Sequence, residues 1–193
     1  MLDKQEFREI LKRKTTNIFF TSDLHFGHAN IIRLAGRPFT SVEEMDAYMI
    51  KKWNEVVGPE DVVFVLGDFA YKGNHSALHY LDQLKGYRVL VVGNHDSTGP
   101  ELVAWDAVYN GYKEIRLKKK NFVLSHYPIT SWNGAFKDTV LLYGHVHASG
   151  KDWEKVELPN AHNVNVEFHN YTPINIKDIK VVNFKDAIEK LKG

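Results

Sequence analysis

Cysteine is absent from all 193 residues. Disulfides, thiolate nucleophiles and sulfur-held metals are therefore excluded, and any metal must be held by His, Asp, Asn and water. No apolar stretch approaches the ~18 residues needed to cross a bilayer. The opening Met1-Leu2-Asp3-Lys4-Gln5-Glu6 lacks the apolar core of a signal peptide. Both observations predict a soluble, cytoplasmic protein without a membrane partner. Neither sign of charge is in excess: 25 Lys and Arg face 24 Asp and Glu, for a net charge of +1. Nothing global recruits a polyanion, which argues against polymeric nucleic acid as a partner. There is no internal repeat, no low-complexity segment and no linker long enough to split the chain, so residues 1–193 read as a single domain.

What the chain does have is a series of apolar runs that read as buried strands. They are Asn17-Ile18-Phe19-Phe20, Val62-Val63-Phe64-Val65-Leu66, Val89-Leu90-Val91-Val92, Phe122-Val123-Leu124 and Val140-Leu141-Leu142-Tyr143. Helical spacing predicts an amphipathic helix over residues 3–14 (Phe7, Ile10, Leu11). Ser41-Val42-Glu43-Glu44 resembles a capping box opening a second helix through about Trp53, stopped by Gly58-Pro59. A third is expected over 75–85. Strand and helix alternate, the rhythm of an α/β domain. Beyond residue 150 the pattern predicts short β-like pieces at Asn163 to Phe168 and Lys180 to Phe184, then a last helix from Asp186.

Each strand-like run is followed directly by polar residues able to bind metal: Asp23-Leu24-His25, Gly67-Asp68, Gly93-Asn94-His95-Asp96, Ser125-His126 and Gly144-His145-Val146-His147. Residues at the ends of several core strands are gathered by folding at one rim of the sheets. If extended backbone persists, Asp23 with His25, and His145 with His147, point the same way in pairs. Any one of these short segments occurs by chance in turns and caps. All five in order, each after a core strand, is a specific signal.

In that order the segments resemble the signature of the calcineurin-like metallophosphoesterase superfamily, D-x-H, G-D, G-N-H-[DE], H and G-H-x-H. The match covers residues 18–147. The stretch from Thr21 to Ile32 and the closing Asn163-Val164-Asn165-Val166-Glu167 are also similar to a small bacterial and phage subgroup of phosphoesterases. The resemblance implies a four-layer αββα sandwich of two mixed β-sheets flanked by helices. It also implies two divalent metal ions, Mn, Fe, Ni, Co or Zn. Asp23, His25 and His147 would hold the first, Asn94, His126 and His145 the second, and Asp68 would bridge them. Such a pair clamps a phosphoryl group and lowers the pKa of a shared water towards about 7, giving a bridging hydroxide as nucleophile. His95 would be the catalytic residue, protonating the leaving oxygen or stabilising phosphoryl charge. His28 and Arg37 are candidates for substrate phosphate contacts.

The chain departs from the family at one place. Many relatives continue the second motif as G-D-x-x-D-R, whereas here it reads Gly67-Asp68-Phe69-Ala70-Tyr71-Lys72. The carboxylate that often orients the catalytic histidine is missing, and Asp96, a backbone carbonyl or a water could take its place. Lys72 replaces an arginine but cannot grip phosphate in a bidentate way. The expected activity is phosphoester hydrolysis on a small phosphodiester or nucleotide phosphoester. Rival readings are a non-catalytic scaffold of the same fold, which would lose ligands that this chain keeps, and a nuclease on polymeric substrate. Tyr127, Trp132 and Phe136 could wall a pocket for a flat leaving group or simply anchor a loop. Lys118-Lys119-Lys120 reads as the solvated tip of a hairpin.

Overall fold

Alternation within the buried strands decides which side of each sheet faces which layer. A computed structural model describes residues 4–96, 100–149 and 159–182. Its first sheet is built from β1 (Ile18–Thr21), β2 (Val62–Val65), β3 (Tyr87–Val91), β4 (Ala107–Tyr109) and β9 (Ile174–Asn175), in the order β4-β3-β2-β1-β9. All neighbours are parallel except β9, which runs against β1. The second sheet, β5 (Tyr112–Leu117), β6 (Lys120–Ser125), β7 (Val140–Tyr143) and β8 (Ala161–Asn163), has the order of the chain. Its β5 and β6 form an antiparallel hairpin, and β6, β7 and β8 are parallel.

Ile18 and Phe20, Val62 and Phe64, Val89 and Val91 pack against Phe122, Leu124, Val140 and Leu142, forming the core between the sheets. Phe20 stacks on Phe64 at 5.6 Å between ring centroids and meets Phe122 across the sheets, also at 5.6 Å. The intervening residues Phe19, Val63, Val65 and Leu90 face outward. They pack with Met45, Met49 and Trp53 of α3 (Val42–Val56) and Leu81 of α4 (Ala77–Leu81). Burial of the strands on both faces explains why they read as unbroken apolar runs rather than alternating ones. On the outer side of the second sheet, Val123, Leu141 and Tyr143 are covered by Trp132, Ala135 and Ile129 from the loop between β6 and β7. The architecture is the αββα sandwich, a single body of two mixed sheets with helices outside.

Several local expectations gain detail here. The first helix, α1 (Lys4–Lys12), lays Phe7 and Ile10 into the core between the sheets. Ser41 caps α3 by accepting from the Glu44 N–H, while Glu44 reaches back one residue further than a capping box requires, to Thr40. The lysine run is a hairpin tip, with Lys118 and Lys119 at φ 46° and 70°. A short helix α2 (Ala29–Leu34) and strand β9 carried too little periodicity to be read. Asn163 to Phe168 is not a strand: only Asn163 belongs to β8, and Val166–His169 turns as a 3-10 helix started by Asn165, whose side chain accepts from Glu167 N–H. Residues 180–182 form no strand; the rest of that expected piece and the helix from Asp186 lie outside the described residues. Among the described residues no helix is long and apolar enough to cross a membrane.

Candidate metal centre

β1, β2 and β3 run parallel, as do β6 and β7, so the loops after all five meet at one rim. The extended backbone expected there does not persist. Asp23, His25, Asp68 and His145 adopt left-handed conformations at φ 55°, 53°, 56° and 68°. A non-glycine residue in that region costs roughly 1–3 kcal/mol and is retained when surrounding contacts impose it. Here the loops brace one another: Asp23 N–H donates to Gly67 O and His25 N–H to Asp68 O, each at 3.0 Å. Gly67 itself sits at φ +85°, where a Cβ would strike the His126 ring and the Gly93 Cα. Close approach of three loops is therefore possible only without a side chain at that position.

Two groups of side chains result. Asp23, His25 and His147 bring ligand atoms within 4.8 Å of one another, and so do Asp68, His126 and His145. Asp68 stands between them: its Oδ2 is 3.6 Å from His25 Nε2 and its Oδ1 is 3.5 Å from His126 Nε2. The Asn94 side chain joins the second group, with Oδ1 at 2.8 Å from His126 Nε2. All seven expected ligands are thus at one place. The backbone N–H of His145 donates to both oxygens of Asp23, and Ser22 Oγ donates to Asp23 Oδ2 at 2.6 Å.

These donor sets suit divalent cations. His25 is buried, and neither of its ring nitrogens has a hydrogen-bond partner. Burial, then the charge of Arg37, pushes its pKa far below the ordinary range, so the ring is a neutral imidazole with a lone pair aimed into the site. His126 Nδ1 must donate to the carbonyl of Leu66 at 2.8 Å. That leaves its Nε2 as an acceptor 2.8 Å from the Asn94 side-chain amide, where the two groups could share a cation. Burial also pushes the Asp23 carboxyl up to about 6 despite His126 and His147 nearby. Three imidazoles with two carboxylates, an amide oxygen and a further exposed imidazole match Mn, Fe, Co, Ni or Zn better than Mg or Ca.

His95 lies at the mouth. Its ring is 34% exposed, with Nε2 at 4.0 Å from Asp68 Oδ2, and its backbone N–H donates to Asp68 Oδ1 at 2.9 Å. Asp96 does not orient this ring, contrary to expectation. Its carboxylate accepts from the N–H groups of Gly93, Asp68 and Phe69 at 2.7 to 2.9 Å and so fastens the Gly-Asp loop to the Gly-Asn-His loop. What touches the His95 ring is Tyr71, at 4.3 Å between centroids, the residue occupying the family's carboxylate position. Tyr71 also meets the ring of half-buried His28 edge-on at 4.9 Å, and Lys72 Nζ lies 4.8 Å over it.

Arg37 is corrected most. Its side chain is fully buried behind the site, pairing with Glu167 through Nε at 2.9 Å and donating to the carbonyls of Leu24 and Asp23 at 2.8 and 2.6 Å. A guanidinium so enclosed supports the Asp23 loop and cannot reach a substrate phosphate. Its partner Glu167 went unrecognised as a site residue, yet its Oε1 lies 2.8 Å from His147 Nδ1 and its Oε2 accepts from Ala148 N–H at 2.8 Å. Burial alone would raise the Glu167 pKa, but the hydrogen bond and charge of His147, with Arg37, hold it below the usual range. The same bond lifts His147 above its ordinary value against the opposing effect of burial.

Away from the rim, Trp132 is buried with its N–H on Thr139 O, so it anchors the loop rather than walling a pocket. Tyr127, 47% exposed, stands edge-on to His145 at 4.7 Å and is the aromatic that does border the second group. His162 and His169 bond the carbonyls of Lys180 and Asn163, and His75 stacks on His79 at the surface.

Two mixed sheets in a sandwich with paired Asp/His clusters at one rim define a metallophosphoesterase-like hydrolase. The family comparison agrees: a model of the calcineurin-like phosphoesterases matches residues 16–186. The chain belongs to that family, which with the two ligand groups supports a metal-dependent phosphoesterase. It is 39% identical to an uncharacterised protein of Methanocaldococcus jannaschii, over 82% of this chain and 86% of that protein. The gene 66 protein of Mycobacterium phage D29 is 30% identical, over 69% of this chain and 79% of the phage protein. A solved structure of a protein of unknown function from Aquifex aeolicus superposes with a TM-score of 0.68 at 30% identity, covering 92% of this chain and 100% of that one.

Proposed function

We propose that this chain is a dinuclear phosphoesterase that prefers phosphodiesters to phosphomonoesters. The observation that carries the dinuclear reading is the placement of Asp68, with one carboxylate oxygen towards a histidine of each group. Asp23, His25 and His147 would hold one ion and Asn94, His126 and His145 the other, with Asp68 placed between the two groups. When bound, two divalent ions neutralise phosphoryl charge and acidify a water between them. The chain's own part is to fix the ligands on braced loops before substrate arrives, so that little reorganisation is needed during reaction. His95, half open at the mouth and close to Asp68, donates a proton to the leaving oxygen.

The diester preference rests on the rim. A dianionic monoester is best gripped by a bidentate arginine, and the positions that could supply one hold Tyr71 and Lys72, while Arg37 is enclosed. Tyr71 and His28 on one side and Tyr127 on the other offer ring faces to an ester substituent. Rates measured under one metal condition on bis-p-nitrophenyl phosphate, p-nitrophenyl phosphate and a 2′,3′-cyclic nucleotide test this reading. Higher kcat/KM on the diesters is expected, and a tenfold preference for the monoester overturns it.

A further inference from the structure

We propose that the buried Arg37–Glu167 pair is a positioning device for one ion site only, that of Asp23, His25 and His147. It sets that site's affinity and leaves the other untouched. The inference rests on the dinuclear reading above and adds an asymmetry to it.

The geometry behind it is a closed set of contacts among residues up to 130 positions apart. Glu167 Oε1 takes both Arg37 Nε, at 2.9 Å, and His147 Nδ1, at 2.8 Å. A carboxylate can only accept, so His147 carries its proton on Nδ1 and presents Nε2 as the free lone pair. The other carboxylate oxygen accepts the Ala148 N–H, fixing the backbone beside that ring. On the far side of the pair, Arg37 donates to the carbonyls of Asp23 and Leu24, within the loop whose left-handed turns aim Asp23 and His25. One ion pair therefore reaches all three members of the group: it fixes the tautomer and ring direction of His147 and braces the backbone loop that carries Asp23 and His25. Its side chains are 0% and 3% exposed, so solvent does not compete for these bonds.

The second group has no such pair among the described residues. Its supports among the described residues include Leu66 O on His126, the Asp96 carboxylate that gathers three N–H groups, and the Asp23 carboxylate that accepts the His145 N–H. Beyond the bond between them, the side-chain hydrogen bonds of Arg37 and Glu167 go to Asp23, Leu24, Met45, His147 and Ala148. A carboxylate behind a metal-binding histidine typically accounts for 10- to 100-fold in metal affinity. Here that factor falls on one ion of the two.

The test is titration of the full chain, stripped of metal, with Mn(II), followed by calorimetry and by electron paramagnetic resonance. Wild type takes up two ions with the broadened spectrum of a coupled pair. Glu167→Gln, which keeps size and one acceptor, binds one ion as wild type does and the other about 10- to 100-fold more weakly. At one equivalent of Mn(II) its spectrum is the sextet of an isolated ion. Arg37→Lys keeps the charge beside Glu167 but not the fork to the two carbonyls, and falls between. Thermal melts of the metal-free proteins establish that each variant is folded; should Arg37→Lys not fold, Glu167→Gln decides alone. Two ions bound by Glu167→Gln with wild-type affinities overturn the inference, as does equal weakening of both. Wild type binding one ion or none is a different result, which ends the dinuclear reading itself.

Discussion

The two ligand groups are chemically alike and are built by different means. Asp68, Asn94, His126 and His145 are supported by neighbouring backbone and by the Asp96 carboxylate, which ties three N–H groups of two adjoining loops. Asp23, His25 and His147 depend instead on a buried ion pair, one partner of which comes from the far end of the chain. The first kind of support crosses between neighbouring strand ends, from Asp96 to Asp68 and from Leu66 to His126, but each contact is made by a residue that lies beside a ligand in sequence. The second is a long-range packing result. The two loops brace each other, but the ion pair bears directly on one group and the Asp96 carboxylate on the other, and that difference is how the comparison can be broken or sharpened.

The largest effect is expected where the groups meet. Asp68→Asn removes the carboxylate that faces both, so both ions weaken and turnover falls by more than the ~10²-fold typical of an outer partner. Asp23→Asn should weaken one ion and cost less. Metal content after gel filtration and kcat at saturating Mn(II) check both variants. Near-normal turnover of Asp68→Asn means that Asp68 does not link the two groups.

Next in size is His95→Ala, which removes none of the seven candidate ligands. Metal content stays near two ions while kcat falls about 10²- to 10⁴-fold, the range for a positioned general acid. The deficit shrinks for a p-nitrophenyl ester, whose leaving group scarcely needs a proton. Equal deficits on activated and alkyl esters assign His95 to phosphoryl charge instead.

A third effect belongs to the first group alone and is read without metal. Burial raises the Asp23 pKa from 3.8 to about 6 in the fold. A carboxyl raised in the folded state takes up a proton more readily there than in the unfolded chain. Its contribution to stability is fully present below the unfolded value and is lost as pH rises through about 6. Relative to metal-free Asp23→Asn, wild type should therefore gain up to ~3 kcal/mol as pH is lowered from 7.5 to 4. Urea unfolding of both proteins at the two pH values checks it, and a gap that does not change with pH contradicts the burial argument.

The smallest is a control remote from both groups. Ser41→Ala removes the cap of α3 and should cost ~1 kcal/mol of stability, with metal binding unchanged. Chemical unfolding and a Mn(II) titration read the two quantities; loss of metal affinity here would show that the supports are not local.

These contrasts also mark what could be read from the residues. The central strands were legible because burial on both faces leaves uninterrupted apolar runs, and the seven candidate positions that the rim gathers were legible from five short segments in the order of the family signature. β9 has only Ile174 and Asn175 to declare it, and α2 carries one fully buried residue, Ile31. Neither offers a period to detect. The left-handed turns at Asp23, His25, Asp68 and His145 defeated the alternation argument, since steric cost at a non-glycine residue is visible only once neighbouring loops impose it. Arg37 read as a phosphate contact or a surface residue because it lies just after the first motif. Its burial follows from Glu167, at a distance of 130 residues that no local pattern bridges.

The central claim is that two ions share Asp68, one on each side. Crystals soaked in MnCl₂ and measured at the manganese absorption edge test it most directly. Two anomalous peaks roughly 3.5–4 Å apart, one beside His25 and His147 and one beside His126 and His145, are what the geometry predicts. A single peak, or two that do not both adjoin Asp68, would contradict it.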